Sequence, residues 1–231
     1  IETSNRIKNL ISFITSRPNF ISESFISHEI DDEIYDYESI QLLYESLNLI
    51  ESKNDSLQML FYYPQVREKI DLLFKNWLSL YNNIEPTLKL FFSVLYSNNM
   101  YIESKFLAYA QALESLHRRT TNERLMSKEA YNALCSTLEN ACPTEHLEWL
   151  KGKLKYGNEI SFRKRIKQTI EPFQELIGEK KSINNLINKI LITRNYMTHY
   201  DIGIENQSAN FEELMIVNMK IELILIVNIL S

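Results

Sequence analysis

Glycine and proline are scarce in this chain, which has only 4 Gly and 5 Pro among 231 residues. β-Sandwiches and barrels need many tight turns, and these two residues supply a large share of them. Their scarcity argues against both folds and against a glycine-rich nucleotide-binding loop. The stretch GKLKYG at 152–157 lacks the G-K-[ST] ending of a P-loop.

Residues that commonly bind metals are also few. The two cysteines, Cys135 and Cys142, are seven residues apart, and a zinc site would need more ligands at closer spacing. We therefore interpret them as reduced thiols. The histidines are His28, His117, His146 and His199. Four dispersed histidines do not indicate a multi-histidine metal site.

The chain has no excess of positive charge and no long apolar run. Its 25 Lys and Arg against 30 Asp and Glu give a net charge of −5, which excludes a surface that coats nucleic acid broadly but leaves room for a local basic site. The most apolar stretch, 214–230, is interrupted by Lys220 and Glu222 and is shorter than the roughly 20 residues that cross a bilayer. We interpret it as a buried core helix, and we expect no membrane segment.

Helical periodicity dominates the chain from Val66 onward. Apolar side chains recur every three or four residues, as in an amphipathic helix. The clearest such segments are 101–119, 182–199 and 211–230. With 45% apolar residues the chain can bury a core, so we predict a mainly α fold, a helical bundle.

The first third of the chain is less regular. A helix is predicted over residues 1–16, ended by Pro18, and the alternating residues 19–30 indicate a short strand or hairpin. The remaining interpretations are an acidic loop over 31–38, a strand or helix over 40–49 and a loop over 53–56. We therefore predict an upstream tail over 1–60 and a helical domain over 61–231. The first residue is Ile, from which we expect a domain excised from a longer protein.

The most informative segment is LITRNYMTHYD, at 191–201. Asn195 and His199 are four residues apart and so project from one helix face, and Arg194 precedes them by one residue. Arg offers a fixed fork of donors to phosphate oxygens, and His exchanges protons near neutral pH. A second explanation is a helix end whose negative dipole favours Arg and His. Spacing alone favours that second explanation.

A family resemblance reverses this preference. RNYMTH, at 194–199, fits the R-[polar]-x-x-x-H pattern of HEPN (higher eukaryotes and prokaryotes nucleotide-binding) domains. Three segments in order, 105–119, 154–166 and 193–201, resemble the C-terminal HEPN region of ApeA-type bacterial anti-phage proteins. The resemblance covers roughly residues 60–231. It implies a HEPN-like helical bundle and a cytoplasmic, cofactor-free and metal-independent endoribonuclease that acts in abortive anti-phage defence, commonly as a homodimer.

The resemblance also implies roles for named residues. His199 would be the general base or acid, Arg194 would stabilise the transition state, and Asn195 would orient His199 or the phosphate. The RNA 2′-OH would attack the adjacent phosphate, leaving 2′,3′-cyclic phosphate and 5′-OH ends. A phage-derived molecule or an upstream domain would activate the enzyme.

Further residues are candidates for substrate contacts, each with a structural alternative. They are Glu114, Arg118, Arg119, Arg163, Arg165, Tyr196 and Tyr200. Glu114 and Arg118 could equally form a surface ion pair, Arg163 and Arg165 could lie on a solvated helix face, and at least one tyrosine could lie in the core.

A different class of function also remains open, a non-catalytic HEPN-like dimerisation module of a toxin–antitoxin or defence system. A third idea is a nucleotide-binding partner of a nucleotidyltransferase.

Overall fold

The computed structural model describes residues 2–23, 25–29, 37–41, 59–97 and 99–231. The chain divides into two compact units, residues 1–82 and 83–231. The prediction of a mainly α fold is confirmed. The domain division after residue 60 stays a prediction.

The first unit contains a helix, a two-stranded sheet and further helical segments. Helix α1 covers Glu2–Thr15, as predicted. Strands β1 (Phe25–Glu29) and β2 (Tyr37–Gln41) pair antiparallel, with Phe25 opposite Gln41. The strand predicted within 19–30 is therefore present. Tyr37 and Glu38, predicted as the end of the acidic loop over 31–38, belong to β2 instead, and residues 31–36 lie outside the described residues. The segments predicted over 42–49 and 53–56 lie outside the described residues. Then follow α2 (Tyr63–Val66), a 3-10 turn (Arg67–Lys69) and the beginning of α3 (Ile70–Leu95).

Helix α1 packs against the first part of α3 through aromatic and polar contacts. The Asn9 amide donates to the Tyr81 hydroxyl at 2.8 Å, and the Trp77 indole donates to the Arg6 carbonyl at 2.8 Å. The rings of Phe13 and Trp77 lie 5.7 Å apart. These buried polar side chains have partners, which avoids the cost of an unsatisfied buried group.

Helix α3 is interrupted near the boundary of the two units. Ile84 has non-helical dihedral angles, φ −117° and ψ 26°, and Pro86 follows two residues later. Proline has no N–H for the helical hydrogen bond, and its ring clashes with the preceding turn. Pro86 therefore accounts for the break.

The second unit is built from helices only, within the residues described. They are the end of α3, α4 (Ile102–Thr120), α5 (Lys128–Ala141), α6 (Leu147–Leu154), α7 (Phe162–Ile170), α8 (Gln174–Ile177), α9 (Lys180–His199) and α10 (Phe211–Leu230). Three 3-10 turns connect them, at Thr144–His146, Glu171–Phe173 and Ile202–Gln207. Helix α4 is central and packs against α7, α9 and α10.

Helix α10 is only half buried. Its inner face is buried, including Leu214, Ile221 and Ile224, but Met215 and Met219 are 49% and 69% exposed. The prediction of a buried core helix thus holds for one face of α10. Within the part of the chain that the structure describes, we find no helix whose length and hydropathy suit a membrane crossing.

Helices α5 and α6 form a hairpin between α4 and α7. They contact each other, and neither contains a buried residue. Ser127 caps α5 by accepting a hydrogen bond from the Ala130 amide at 3.2 Å. The hairpin therefore contributes nothing to the core of the second unit.

Candidate active site

The motif predicted from sequence lies at the C-terminal end of α9. The inner face of this helix is buried from Ile183 to Thr193, which fixes how the last turn is oriented. The Thr193 hydroxyl is fully buried and accepts a hydrogen bond from the Ala209 amide at 2.9 Å. This bond joins the end of α9 to the chain just before α10. Arg194 follows at the edge of the buried face.

Arg194 is half-buried and lies against an aromatic ring. Its guanidinium carbon is 5.4 Å from the ring centroid of Phe162, the first residue of α7. Such cation–π contacts are favourable and orient the guanidinium. Among the described residues, no side chain forms an ion pair or hydrogen bond with the Arg194 guanidinium. Its donors are therefore available to an anion.

Asn195 and His199 are exposed, and His199 is the last residue of α9. Tyr200 then adopts a left-handed conformation, with φ 51° and ψ 40°, which ends the helix. Neither the Asn195 nor the His199 side chain has a hydrogen-bond partner within the described part of the chain. At about 100° per residue, Asn195 and His199 share a face, whereas Arg194 is turned about 140° from His199. One chain thus presents the arginine and the histidine on different sides of the same helix end.

The two tyrosines of the motif contact each other at this end of α9. Their ring centroids are 5.8 Å apart, and the rings are inclined by 70°. The Tyr196 hydroxyl donates to Glu205 at 2.9 Å, a bond that raises the pKa of Tyr196. Tyr200 is 72% exposed. The expectation that at least one tyrosine lies in the core is wrong, because the helix end projects both rings away from the buried face.

Glu114 and Arg118 form the ion pair that their spacing allows. Arg118 Nε lies 3.1 Å from Glu114 Oε1, and Arg118 Nη2 lies 2.7 Å from Glu159 Oε2. The Arg118 guanidinium therefore joins two carboxylates. Arg119 is exposed, without a side-chain partner among the described residues, and its role toward RNA stays a prediction.

The two arginines of α7 differ in their surroundings. Arg163 is exposed and donates to the Asn188 side chain of α9. Arg165 is only 2% exposed, with Nη2 at 3.4 Å from Glu159 Oε2, so neither a solvated position nor an RNA contact applies to it. The reason is periodicity, because Arg165 shares the inner face of α7 with the buried Ile166 and Thr169. The apolar spacing of α7 is the sequence signal from which the burial of Arg165 could have been predicted.

His117 is part of a buried polar network that the sequence did not reveal. It is 3% exposed, and its Nδ1 lies 3.3 Å from Arg165 Nη1 while its Nε2 lies 2.8 Å from Gln168 Oε1. Gln168 in turn donates to Glu123 at 2.6 Å. Because an arginine can only donate, the bonding pattern assigns the proton to Nε2 and leaves Nδ1 as an acceptor. His117 is thus bound as a neutral imidazole.

We expect this network to make stability depend on pH. Burial lowers the pKa of His117 from its ordinary value of 6.5, and the charge of Arg165 acts in the same direction. Neutral His117 contributes fully to the stability of the folded state above about pH 6.5. This contribution is lost as the pH falls below that value, because the unfolded chain takes up a proton at a higher pH than the folded chain does. Urea unfolding should therefore show a larger loss of stability between about pH 7.5 and pH 5.5 for the wild type than for His117→Gln. Equal losses would contradict the neutral assignment. The carboxylates whose pKa is lowered, such as Glu123 and Glu159, affect stability only at lower pH.

No group of three or more His, Cys, Asp or Glu that could hold a metal ion is found among residues 2–23, 25–29, 37–41, 59–97 and 99–231.

Comparison with known protein families places most of the second unit in one of them. Residues 107–231, more than half of the chain, match the profile of the Apea-like HEPN family. This range includes the motif at 194–199 and most of α4 and confirms the predicted resemblance. No curated protein and no solved structure matches the chain. The chain therefore belongs to the Apea-like HEPN family.

Proposed function

We propose that this chain is a metal-independent endoribonuclease in which Arg194, Asn195 and His199 act on RNA. The observation that carries the proposal is that these side chains have no hydrogen-bond or ion-pair partner in the described part of the chain. They also lie within the residues matched to the HEPN family, in the R-[polar]-x-x-x-H pattern of the sequence. Structural arginines and histidines in the same unit, such as Arg165 and His117, are buried and paired. The contrast favours ligand binding at the end of α9.

The chemistry uses one proton acceptor and one fixed cation. In the base role, His199 takes the proton of the ribose 2′-OH, and the 2′ oxygen forms a bond to the adjacent phosphorus. Arg194 stabilises the negative charge that develops on the phosphate oxygens. The bond from phosphorus to the 5′ oxygen breaks, and that oxygen receives a proton from the general acid. The products are a 2′,3′-cyclic phosphate and a 5′-OH.

The experiment that tests this function is an end-group analysis of cleaved RNA. Total RNA is incubated with the wild type in EDTA, and the fragments are labelled at the 5′ end by a polynucleotide kinase with and without prior phosphatase treatment. We expect cleavage and labelling that needs no phosphatase, with His199→Ala prepared in parallel giving no fragments. Intact RNA with the wild type, also in the presence of phage lysate, would instead favour the non-catalytic module.

A second copy of this chain would complete the site, since Arg194 and His199 of one chain lie on different sides of α9. The exposed face of α10 offers an apolar surface for it. Phe211, Met215 and Met219 recur every four residues and are 65%, 49% and 69% exposed. Phe211 is the first residue of α10, and only the 3-10 turn Ile202–Gln207 and three further residues separate α10 from Asp201. The apolar surface therefore begins close in sequence to His199. We therefore place the homodimer contact on these residues.

A charge on this surface should separate the two copies. For Met219→Glu we expect light scattering to give the mass of one chain and RNA cleavage to fall at least tenfold, because a carboxylate is costly to bury in an apolar interface. Leu176→Glu is the matched control, since Leu176 is 65% exposed but lies in α8. A Met219→Glu chain that keeps the mass of a dimer would exclude this interface.

The proposed biological role is abortive anti-phage defence in the cytoplasm, where host and phage RNA are both present. The family assignment supports this role. Cleavage of host RNA would harm the cell, so the proposed enzyme is inactive until a phage-derived molecule or an upstream domain activates it.

Tyr200, exposed beside His199, is the side chain best placed to stack on a base of the RNA.

A further inference from the structure

A polar pocket of about 490 Å³ opens between the helices of the α5–α6 hairpin, away from the motif in the sequence. We call it the hairpin pocket. Its volume lies within the range of about 300–1,000 Å³ that is typical of small-molecule sites. Its lining includes Arg124, Tyr131, Glu139, Lys151, Lys155 and Tyr156.

The walls of the hairpin pocket are held by specific hydrogen bonds. The Asn158 side chain accepts from the Met126 amide at 2.9 Å and donates to the Met126 carbonyl at 3.0 Å. The Tyr131 hydroxyl donates to the Leu154 carbonyl at 2.5 Å. A Cβ atom at Gly157 would lie 2.3 Å from the Tyr131 oxygen, so glycine permits this close approach. The pocket is therefore preorganised although α5 and α6 bury no side chain.

The charge of the hairpin pocket differs in sign from that of the whole chain. Three cations line it, Arg124, Lys151 and Lys155, against the two carboxylates of Glu139 and Glu159. Glu159 is already bound by Arg118 at 2.7 Å and by Arg165 at 3.4 Å. The pocket therefore attracts anions, within a chain of net charge −5.

Aromatic rings accompany these cations. The Lys155 ammonium lies 5.4 Å from the Tyr156 ring centroid, and Tyr156 is 63% exposed. Lys151 forms an exposed ion pair with Glu148 at 3.4 Å, which is weak enough to exchange for a ligand. Exposed aromatic faces stack on nucleobases, and lysines bind phosphates. A base and a phosphate could thus be bound together.

We propose that the hairpin pocket binds a nucleoside phosphate, with Lys151 and Lys155 on the phosphate and Tyr156 stacked on the base. A nucleoside phosphate of this kind can be a free nucleotide or one nucleotide of an RNA strand. Neither Arg194 nor His199 lines this pocket, and the proposal does not depend on RNA cleavage.

The test measures binding by the chain with the substitution His199→Ala, which leaves RNA uncut. Isothermal titration with ATP and AMP, and fluorescence anisotropy with a labelled five-nucleotide RNA, identify the source. We expect Lys151→Glu/Lys155→Glu to weaken binding about tenfold or more because two attractions become repulsions. The control Lys180→Glu/Lys181→Glu makes the same charge change at exposed lysines of α9 and should leave affinity within about twofold.

Each outcome decides the proposal. Nucleotide binding that is lost in the pocket variant identifies a free nucleotide, and RNA binding lost there, with no nucleotide binding, identifies a strand. Tyr156→Ala should weaken either ligand about tenfold, as expected for a stacking base. Absence of binding, equal losses in the pocket variant and its control, or full affinity in Tyr156→Ala would overturn the proposal.

Discussion

RNA cleavage by Arg194→Ala should be about 10²- to 10³-fold slower than by the wild type, the cost of removing one preorganised donor to a developing oxyanion. Arg194→Lys should recover only part of this loss, because lysine keeps the charge but not the planar fork of donors. The guanidinium is also the group that lies over Phe162, and an ammonium would not occupy that plane in the same way. Initial rates on a fluorogenic RNA in EDTA measure the effect.

The controls for Arg194 come from the same helix and from a second histidine. Lys180→Ala removes an exposed cation at the opposite end of α9 and should leave the rate unchanged, as should His146→Ala, whose ring is exposed beside Glu145. Residues that act as a unit are not additive. The double variant Arg194→Ala/His199→Ala should therefore be little slower than His199→Ala alone. A rate in Arg194→Ala close to the wild type would remove Arg194 from the mechanism.

Glu159→Ala should lower the free energy of unfolding by about 2–4 kcal/mol, because it leaves the buried Arg165 guanidinium without its carboxylate. Glu159 is itself partly exposed, which puts the expected loss below the upper end of the range for buried pairs. Arg118 loses its 2.7 Å contact at the same time. Urea unfolding followed by circular dichroism at pH 7 measures the loss.

A surface pair and a double variant test the reason for this loss. Glu148 is 90% exposed and pairs with Lys151, so Glu148→Ala should cost no more than about 0.5 kcal/mol. Arg165→Met/Glu159→Gln removes the buried charge together with its partner and should be more stable than Glu159→Ala. If the double variant were the less stable of the two, an uncompensated Arg165 charge could not explain the effect.

Local pattern was enough to predict most of the helices. The spacing of apolar residues in 101–119 and 211–230 follows 3.6 residues per turn, and α4 and α10 cover these segments. The alternation in 19–30 likewise predicted β1. Apolar content did not show that α10 would bury only one face, because burial depends on which neighbouring helices reach it.

Contacts between distant residues explain what the sequence did not show. The motif at 194–199 was found because its residues are adjacent, but Phe162 under Arg194 belongs to another helix. Arg165 was placed wrongly for a similar reason, since His117 of α4 becomes its neighbour only when α4 and α7 pack together. The hairpin pocket depends on the approach of Gly157 to Tyr131, which no spacing rule predicts.

The absence of buried side chains in α5 and α6, the two helices of the hairpin, has an evolutionary consequence. A hairpin that adds nothing to the hydrophobic core can be lengthened, shortened or replaced during divergence without lowering the stability of the other helices. Related proteins can thereby carry different hairpins at this position while retaining helix α9. The hairpin is accordingly the part of this domain where we expect lineages to differ most.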